Sequence, residues 1–502
     1  MADFDLAIIG GGITGTGIAR EAAGRGLRVL LVEQHDLAAG SSSASSKVFH
    51  GGLTHFTPHE VRRLRQAQYE SAMVLRLAPH LVRPLRFVLP HHPALPPAWR
   101  LRLNLFVADR LARPQILPGT RTLDLIHGTI AAPLQRRYRL GFEWSGYQID
   151  DSRLVVLNAV DAAERGAVIR TRTRLVRAEG EDREWRLSLK VRGGRDRVTA
   201  RVVVNASGPW AAGVAERVLR RPLRGPVPLL KGSHIVVRRR FGHDRAYLFA
   251  SEDRRAGFAI PYEHDFTLIG TTQEAHPAEP DVVLPGPDGI AALCAATREF
   301  LREPITTDEI VWAFAGLQAL HPSGRRTARV WLDAAAGSAP LLTVYGGALM
   351  SYRGLAERAL AQIADYFVAG STWTGTAPLP GGDFAWDGIE ALVARTRARW
   401  PFLNEAHARR WVSAYGTRLE CIVEGARRLE DLGPSFGADL TAAEIRYLQR
   451  HEWAQTAEDV LWRRSKLGLH VRPEQQAALE RFMATDVGLM TQGSPNGDNC
   501  HD

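Results

Sequence analysis

Long apolar runs, lysine and cysteine are all scarce in this chain of 502 residues. No window of about 18 uninterrupted apolar residues occurs, which excludes a membrane-spanning helix on length. The three cysteines, Cys294, Cys421 and Cys500, are scattered and odd in number. They argue against a disulfide framework and against a zinc cluster, and a reducing compartment is the natural reading. Lysine occurs only at Lys47, Lys190, Lys231 and Lys466, so the formal charge of +10 is arginine charge. Those arginines are interleaved with acids and form no aromatic-basic patch, so no nucleic-acid partner is expected. The histidines show no metal-site spacing, His451-Glu452 lacks the second histidine of a zincin, and no metal is expected. The start, Met1-Ala2-Asp3-Phe4-Asp5, carries acid where a secretory signal carries base, which predicts a cytoplasmic location.

An apolar content of 45% over this length is enough for two or three cored domains. The run Phe4 to Ile9 reads as a buried strand leading into Gly10-Gly11-Gly12-Ile13-Thr14-Gly15. A helix follows to about Ala23, stopped by Gly24 and Gly26, and then a second strand, Arg28 to Val32, ends at Glu33. In this β-α-β setting the glycines permit a tight turn and close backbone approach. The helix N-terminus receives a pyrophosphate, and the Glu33 carboxylate accepts from ribose hydroxyls. The pattern therefore reads as dinucleotide binding.

A serine-rich loop from Gly40 to Ser46 interrupts the β-α repeat that a nicotinamide domain would continue. It runs into Lys47-Val48-Phe49-His50-Gly51-Gly52-Leu53, where the hydroxyls and Lys47 suit a phosphate path. Two further strands end in small residues, at Asn205-Ala206-Ser207-Gly208-Pro209-Trp210 and Tyr345-Gly346-Gly347, and ligands sit at such ends in α/β sheets. Strand-like pieces between Val168 and Ile269 suggest an antiparallel sheet. Beyond Gly382 the period becomes helical, with helices expected near 389–399, 405–415, 418–430, 443–451 and 474–483. In the strand Ser233 to Val237, alternation points His234 away from Ile235, and imidazole suits a base for an alcohol proton. A hydrogen-bonded structural histidine is the competing reading.

These segments and others together resemble the FAD-dependent, quinone-linked glycerol-3-phosphate dehydrogenases. The match runs from Ile8-Ile9-Gly10-Gly11-Gly12-Ile13-Thr14-Gly15 through Ser42-Ser43-Ala44-Ser45-Ser46-Lys47 and Ile149-Asp150-Asp151-Ser152-Arg153-Leu154. It continues through Lys231-Gly232-Ser233-His234-Ile235-Val236-Val237 and Ile269-Gly270-Thr271-Thr272 to Leu461-Trp462-Arg463-Arg464. The resemblance implies an α/β fold: an FAD-binding Rossmann-like domain of the D-amino-acid-oxidase type, interleaved with an antiparallel-sheet substrate domain, plus a C-terminal helical domain. Within 1–375, the expected FAD portion is mainly 1–90, 150–225 and 325–370, and the substrate portion mainly 91–149 and 226–324. A cap over 385–490 and a flexible tail over 491–502 complete the expected division.

By the same resemblance His234 is the catalytic residue, at the substrate carbon. The expected FAD set is Gly10, Gly12, Thr14, Gly15, Glu33, Ser45, Ser46, Lys47, His50, Gly51, Gly52, Leu53, Ala206, Gly208, Trp210, Gly346 and Gly347. The expected substrate set is Thr54, His55, Tyr262, Thr271, Gln318, Ala348 and Arg353. A small-molecule alcohol or phosphorylated polyol is the implied donor, and quinone or another acceptor takes the electrons. Peripheral contact with the inner face of the cytoplasmic membrane is also implied, with Trp99 to Phe106 as an apolar-plus-basic candidate that reads equally well as a buried helix. A homodimer is compatible with all of this.

The chain departs from the family where the substrate would lie. Thr54 and Gln318 stand in place of arginines, Ala348 in place of lysine, and Gln273 in place of aspartate. A charge-assisted hydrogen bond contributes roughly 1.5–3 kcal/mol, so losing two or three weakens a phosphate ligand by about a hundredfold or more. Arg325, Arg326, Arg329 and Arg353 are the candidates to replace them. A non-catalytic or re-purposed flavoprotein of the same family is the alternative to an active dehydrogenase.

Overall fold

Alternate residues of the opening strand Phe4–Ile9 serve different cores. Leu6 and Ile8 pack with Ile18, Ala22 and Val155, whereas Ala7 and Ile9 pack with Trp185, Leu187 and Leu189. A strand buried on both faces reads as an unbroken apolar run, and this one does. In a computed structural model the chain is described over residues 2–490, apart from 50–57, 112–116, 182, 224, 251–255, 278, 281–282, 322, 325–326 and 335–336.

The first sheet sets five parallel strands side by side: Val168–Arg170, Val29–Val32, Phe4–Ile9, Gly194–Asn205 and Leu341–Tyr345. Arg329–Asp333 closes one edge antiparallel. Helices Ile13–Gly24, Asp151–Glu164 and Tyr352–Gln362 cover one face, and the meander Arg174–Glu181, Glu184–Val191 packs on the other. The second sheet is built around Leu229–Arg238, which lies between Ile310–Ala319 and Phe266–Gly270. From Phe266–Gly270 it extends through Ala256–Tyr262, Arg245–Ala250, Val82–Pro90 and Leu140–Ile149. Val82–Pro90, expected within the cofactor portion, therefore belongs to the substrate-side sheet: its nine residues pair in unbroken register with Leu140–Ile149.

The C-terminal domain holds its own core, with Trp411, Tyr447 and Leu448 at its centre. Helices Ile389–Arg399 and Glu405–Tyr415 fall where the period places them. The single helix expected over 418–430 is broken into Gly416–Leu419, Glu420–Val423 and Leu429–Leu432, because Gly425 takes a left-handed φ of 75° that ends the second piece. Helices Asp151–Glu164 and Pro287–Phe300 were not expected. Of the described cysteines, Cys294 is free and buried. Among the described residues, no helix is long and apolar enough to cross a membrane.

Buried charge joins this domain to the rest. The Arg153 guanidinium pairs with Glu452, at 2.9 Å through Nη2, and also donates to the Ala414 carbonyl at 3.0 Å, with both side chains of the pair out of solvent. Arg464 forms a second such pair with Asp36, at 2.7 and 2.8 Å. Removing one partner of a buried pair leaves the other charge uncompensated, at about 3–5 kcal/mol. Glu452→Ala is therefore expected to lower the free energy of unfolding by about that amount in urea titration, and an unchanged midpoint would contradict it.

Candidate active site

The glycine turn is shaped by what it must avoid. Gly10 takes φ 113°, and a Cβ there would lie 2.7 Å from the Ala206 carbonyl oxygen. A Cβ at Gly15 would lie 1.9 Å from the Gly10 oxygen, so the helix can approach the turn only because both positions are glycine. Gly12 is the N-cap, supplies no side chain, and faces only Ser42 Oγ, 3.0 Å from where its Cβ would be. That leaves an open anion seat at the positive end of Ile13–Gly24, with Ile13 N donating to Ser42 Oγ at 3.0 Å and Thr14 half-buried beside it. Glu33 accepts from Gly11 N at 2.7 Å through one oxygen and from His35 N at 2.8 Å through the other. Each oxygen keeps acceptor capacity for a hydroxyl. Burial raises the Glu33 carboxyl above its ordinary range.

Three strand ends meet at this edge of the parallel sheet. Ile9 is in register with Asn205, and Asn205 with Thr343. Ala206 N donates to the Ile9 carbonyl at 2.9 Å, and Gly208, Gly346 and Gly347 all have left-handed φ. Trp210 donates from Nε1 to the Pro280 carbonyl at 2.9 Å, with its ring against Gly40. In the serine loop, the Ser45 hydroxyl donates to Asp151 Oδ2 at 2.6 Å, and Ser46 is half-buried next to it. Lys47 does not line a phosphate path: its buried ammonium donates to both oxygens of Asp151, at 2.8 and 2.9 Å, and to the Ser43 carbonyl at 2.7 Å. Asp151, which anchors all of this, was not among the expected site residues.

His234 lies on the opposite face of its strand from Ile235, as alternation requires. Ile235 joins the core beneath helix Pro287–Phe300, while the His234 ring stacks on Phe314 at 4.8 Å and tilts against Phe258. It is 3% exposed, and neither ring nitrogen has a hydrogen-bond partner. Gly270 lets the ring pack directly on the backbone, since a Cβ there would lie 2.3 Å from it. Burial, and then the Lys47 charge, push its pKa down to about 3, so the imidazole is neutral at physiological pH. The Tyr262 hydroxyl is also buried without a partner, and burial raises its pKa well above 10, so it too is a neutral donor.

The remaining expected substrate residues separate. Gln318 donates from Nε2 to the Gly347 carbonyl at 3.3 Å, tying the second sheet to the glycine pair of the first. Thr271 donates to the Thr272 carbonyl, and Ala348 is exposed at the start of the Leu349–Ser351 turn. Arg353 leaves the substrate set: all three of its nitrogens donate to carboxylates, of Glu70 at 2.8 and 3.0 Å and of Glu357. Arg329 is in register with Tyr345, one residue before Gly346, and is half-buried. His50, Gly51, Gly52, Leu53, Thr54, His55, Arg325 and Arg326 lie outside the described residues.

His80 is buried without a partner on either nitrogen, and burial brings its pKa to about 3 as well. Both histidines bind a proton more readily unfolded than folded, so the stability they contribute is complete above about pH 6.5 and falls as pH drops toward about 3. Each is expected to cost up to about 1.4 kcal/mol per pH unit in that window. Denaturant titrations of His80→Gln at pH 7 and pH 5 should show a weaker pH dependence than the parent, and an identical dependence would contradict the assignment.

Residues 5–353 match the family described as FAD dependent oxidoreductase. The chain belongs to that family. Residues 372–487 match the C-terminal domain of alpha-glycerophosphate oxidase. Among relatives of this FAD dependent oxidoreductase, a glycerol-3-phosphate dehydrogenase of Pseudomonas aeruginosa is 43% identical over 492 residues, covering 96% of this chain and 95% of the relative. A D-erythritol 1-phosphate dehydrogenase of Brucella abortus is 41% identical over 483 residues, covering 94% of this chain and 96% of the relative. The crystal structure of a glycerol-3-phosphate dehydrogenase from Bacillus halodurans complexed with FAD superposes with a TM-score of 0.75 at 26% identity, covering 97% of this chain and 91% of that one. The Cβ-free approach at Gly12, the uncapped helix start and the two-sided Glu33 carboxylate fit the diphosphate and ribose of FAD.

Proposed function

We propose that the chain oxidises a polyol phosphate, either sn-glycerol 3-phosphate to dihydroxyacetone phosphate or a close homologue such as D-erythritol 1-phosphate, and passes the electrons to quinone. FAD, when bound, supplies the hydride acceptor. The carbinol carbon is placed beside His234, a free ring nitrogen takes the hydroxyl proton, and Phe258 and Phe314 pack against the ring. Tyr262 supplies a neutral hydroxyl on the same sheet. The observation that carries this reading is a fully buried, neutral imidazole with both nitrogens unpartnered, since such a group costs stability unless something arrives to bond it. Arg329, at the Gly346 corner, is the described cation that best suits the phosphate.

Contact with a membrane surface is supported by helix Ala98–Leu111. Leu101 and Leu105 face the core, whereas Trp99, Leu103 and Phe106 are 69%, 52% and 53% exposed, flanked by exposed Arg100 and Arg102. An apolar face bordered by arginine is suited to anionic headgroups.

Steady-state turnover with a water-soluble quinone tests the reading. Glycerol 3-phosphate or D-erythritol 1-phosphate is expected to exceed its dephosphorylated parent in kcat/KM by at least about tenfold, the worth of one charge-assisted hydrogen bond. In Gln318→Arg, which adds a cation beside Gly347, the KM for glycerol 3-phosphate is expected to fall by about tenfold. Equal turnover of phosphorylated and neutral polyols would overturn the substrate class.

A further inference from the structure

A continuous buried chain of polar groups runs from the C-terminal domain to the ring stack that holds His234. At its far end, the Lys466 ammonium donates to the Trp462 carbonyl at 2.7 Å, to Ser152 Oγ at 2.8 Å and to the Ser465 carbonyl at 3.2 Å. Three acceptors are what three N–H groups of a protonated amine require. Ser152 gives its single hydroxyl proton to Asp150 Oδ1 at 3.1 Å, so it can only accept from Lys466. The next residue, Asp151, takes the Ser152 amide at 2.8 Å, the Ser45 hydroxyl at 2.6 Å and the Lys47 ammonium through both oxygens. Lys47 then sits 5.2 Å from the centroid of Phe314, whose ring is stacked on His234.

Lys47, Lys466 and Asp151 are buried and Asp150 is half-buried, and within this run the two ammoniums match the two carboxylates. Without Lys466, the two adjacent carboxylates keep the ammonium of Lys47 and, near Asp150, the Arg153 guanidinium, which Glu452 already engages. That ammonium would be drawn along the helix start toward Asp150 and off the Phe314 ring, because a buried carboxylate without a counter-charge is far costlier than a bent lysine stem. We infer that Lys466 is a positioning residue, through which the C-terminal domain balances Asp150 and so reserves Lys47 for Asp151 and for the stack that orients His234. The domain is thereby a working part of the catalytic centre and not only a cover. The inference rests on His234 acting as the base, and one arm of its test does not depend on that.

Lys466→Met is compared with the double variant Asp150→Asn/Lys466→Met. The double variant lacks the same Lys466 hydrogen bonds but restores charge balance, and asparagine still caps the helix that begins at Asp151. The expected result is that Lys466→Met keeps its FAD and loses kcat at least tenfold with KM within twofold, while the double variant recovers to within threefold of the parent. Amide hydrogen exchange over residues 43–49, read in the FAD-free protein, is expected to rise in the single variant and return in the double. If the double variant is no better than the single in both measurements, Lys466 acts only as a hydrogen-bonded anchor and the proposal fails. Exchange that follows the expected pattern without any change in kcat would instead unseat His234 as the base.

Discussion

Replacing His234 by alanine is expected to lower kcat by about 10²–10⁴-fold while leaving the bound flavin in place. The range follows from what a positioned general base contributes, and retention of flavin follows from geometry. His234 lies in the second sheet, whereas the glycine turn, Glu33 and the strand ends that fit the diphosphate and ribose all belong to the first. The pH profile should carry the same signature. With its pKa held near 3 by burial and by Lys47, His234 is already a free base throughout the acid range. Activity should therefore show no loss near pH 6.5 attributable to histidine protonation. A His234→Ala enzyme with near-normal kcat would remove the base from the account.

Gly15→Ala is expected to reduce FAD affinity by at least about tenfold, corresponding to ~1.4 kcal/mol, and to destabilise the FAD-free protein as well. The added methyl meets the Gly10 carbonyl oxygen at 1.9 Å, so either the turn or the helix must shift. Gly12→Ala provides the contrast. Its methyl would meet only the Ser42 hydroxyl, at 3.0 Å, so the FAD-free fold should be nearly unaffected while the seat for the diphosphate is narrowed. Fluorescence titration with FAD and thermal melts of the FAD-free variants separate the two effects. Equal losses of melting temperature in both would contradict this division between packing and ligand approach.

What could be read from residues alone is what short-range rules govern. The turn from Gly10 to Gly15 and the acid at Glu33 belong to one supersecondary unit, so their spacing carries their geometry. The orientation of His234 follows from the two-residue period of a strand, and helices 389–399 and 405–415 from the period of 3.6. Long-range ion pairs were not legible. Lys47 beside the serine hydroxyls suited a phosphate path, yet its partner Asp151 is 104 residues away. Arg353 was expected at the substrate as a candidate to replace the missing cations, yet besides the nearby Glu357 it is held by Glu70, 283 residues distant. A cation's partner is set by topology, and sequence spacing does not encode it. Breaks in helical period are equally hidden, as the left-handed Gly425 within the expected helix over 418–430 shows.

The central claim is that this chain holds FAD so that a polyol phosphate, deprotonated by His234, reduces it. Anaerobic mixing of the purified yellow protein with glycerol 3-phosphate and D-erythritol 1-phosphate, followed at the flavin absorption band, tests it directly. The account predicts that at least one bleaches the flavin rapidly in the parent and far more slowly in His234→Ala, with dithionite bleaching both alike. A fully loaded parent protein whose colour persists with every polyol phosphate, yet yields to dithionite, would contradict it.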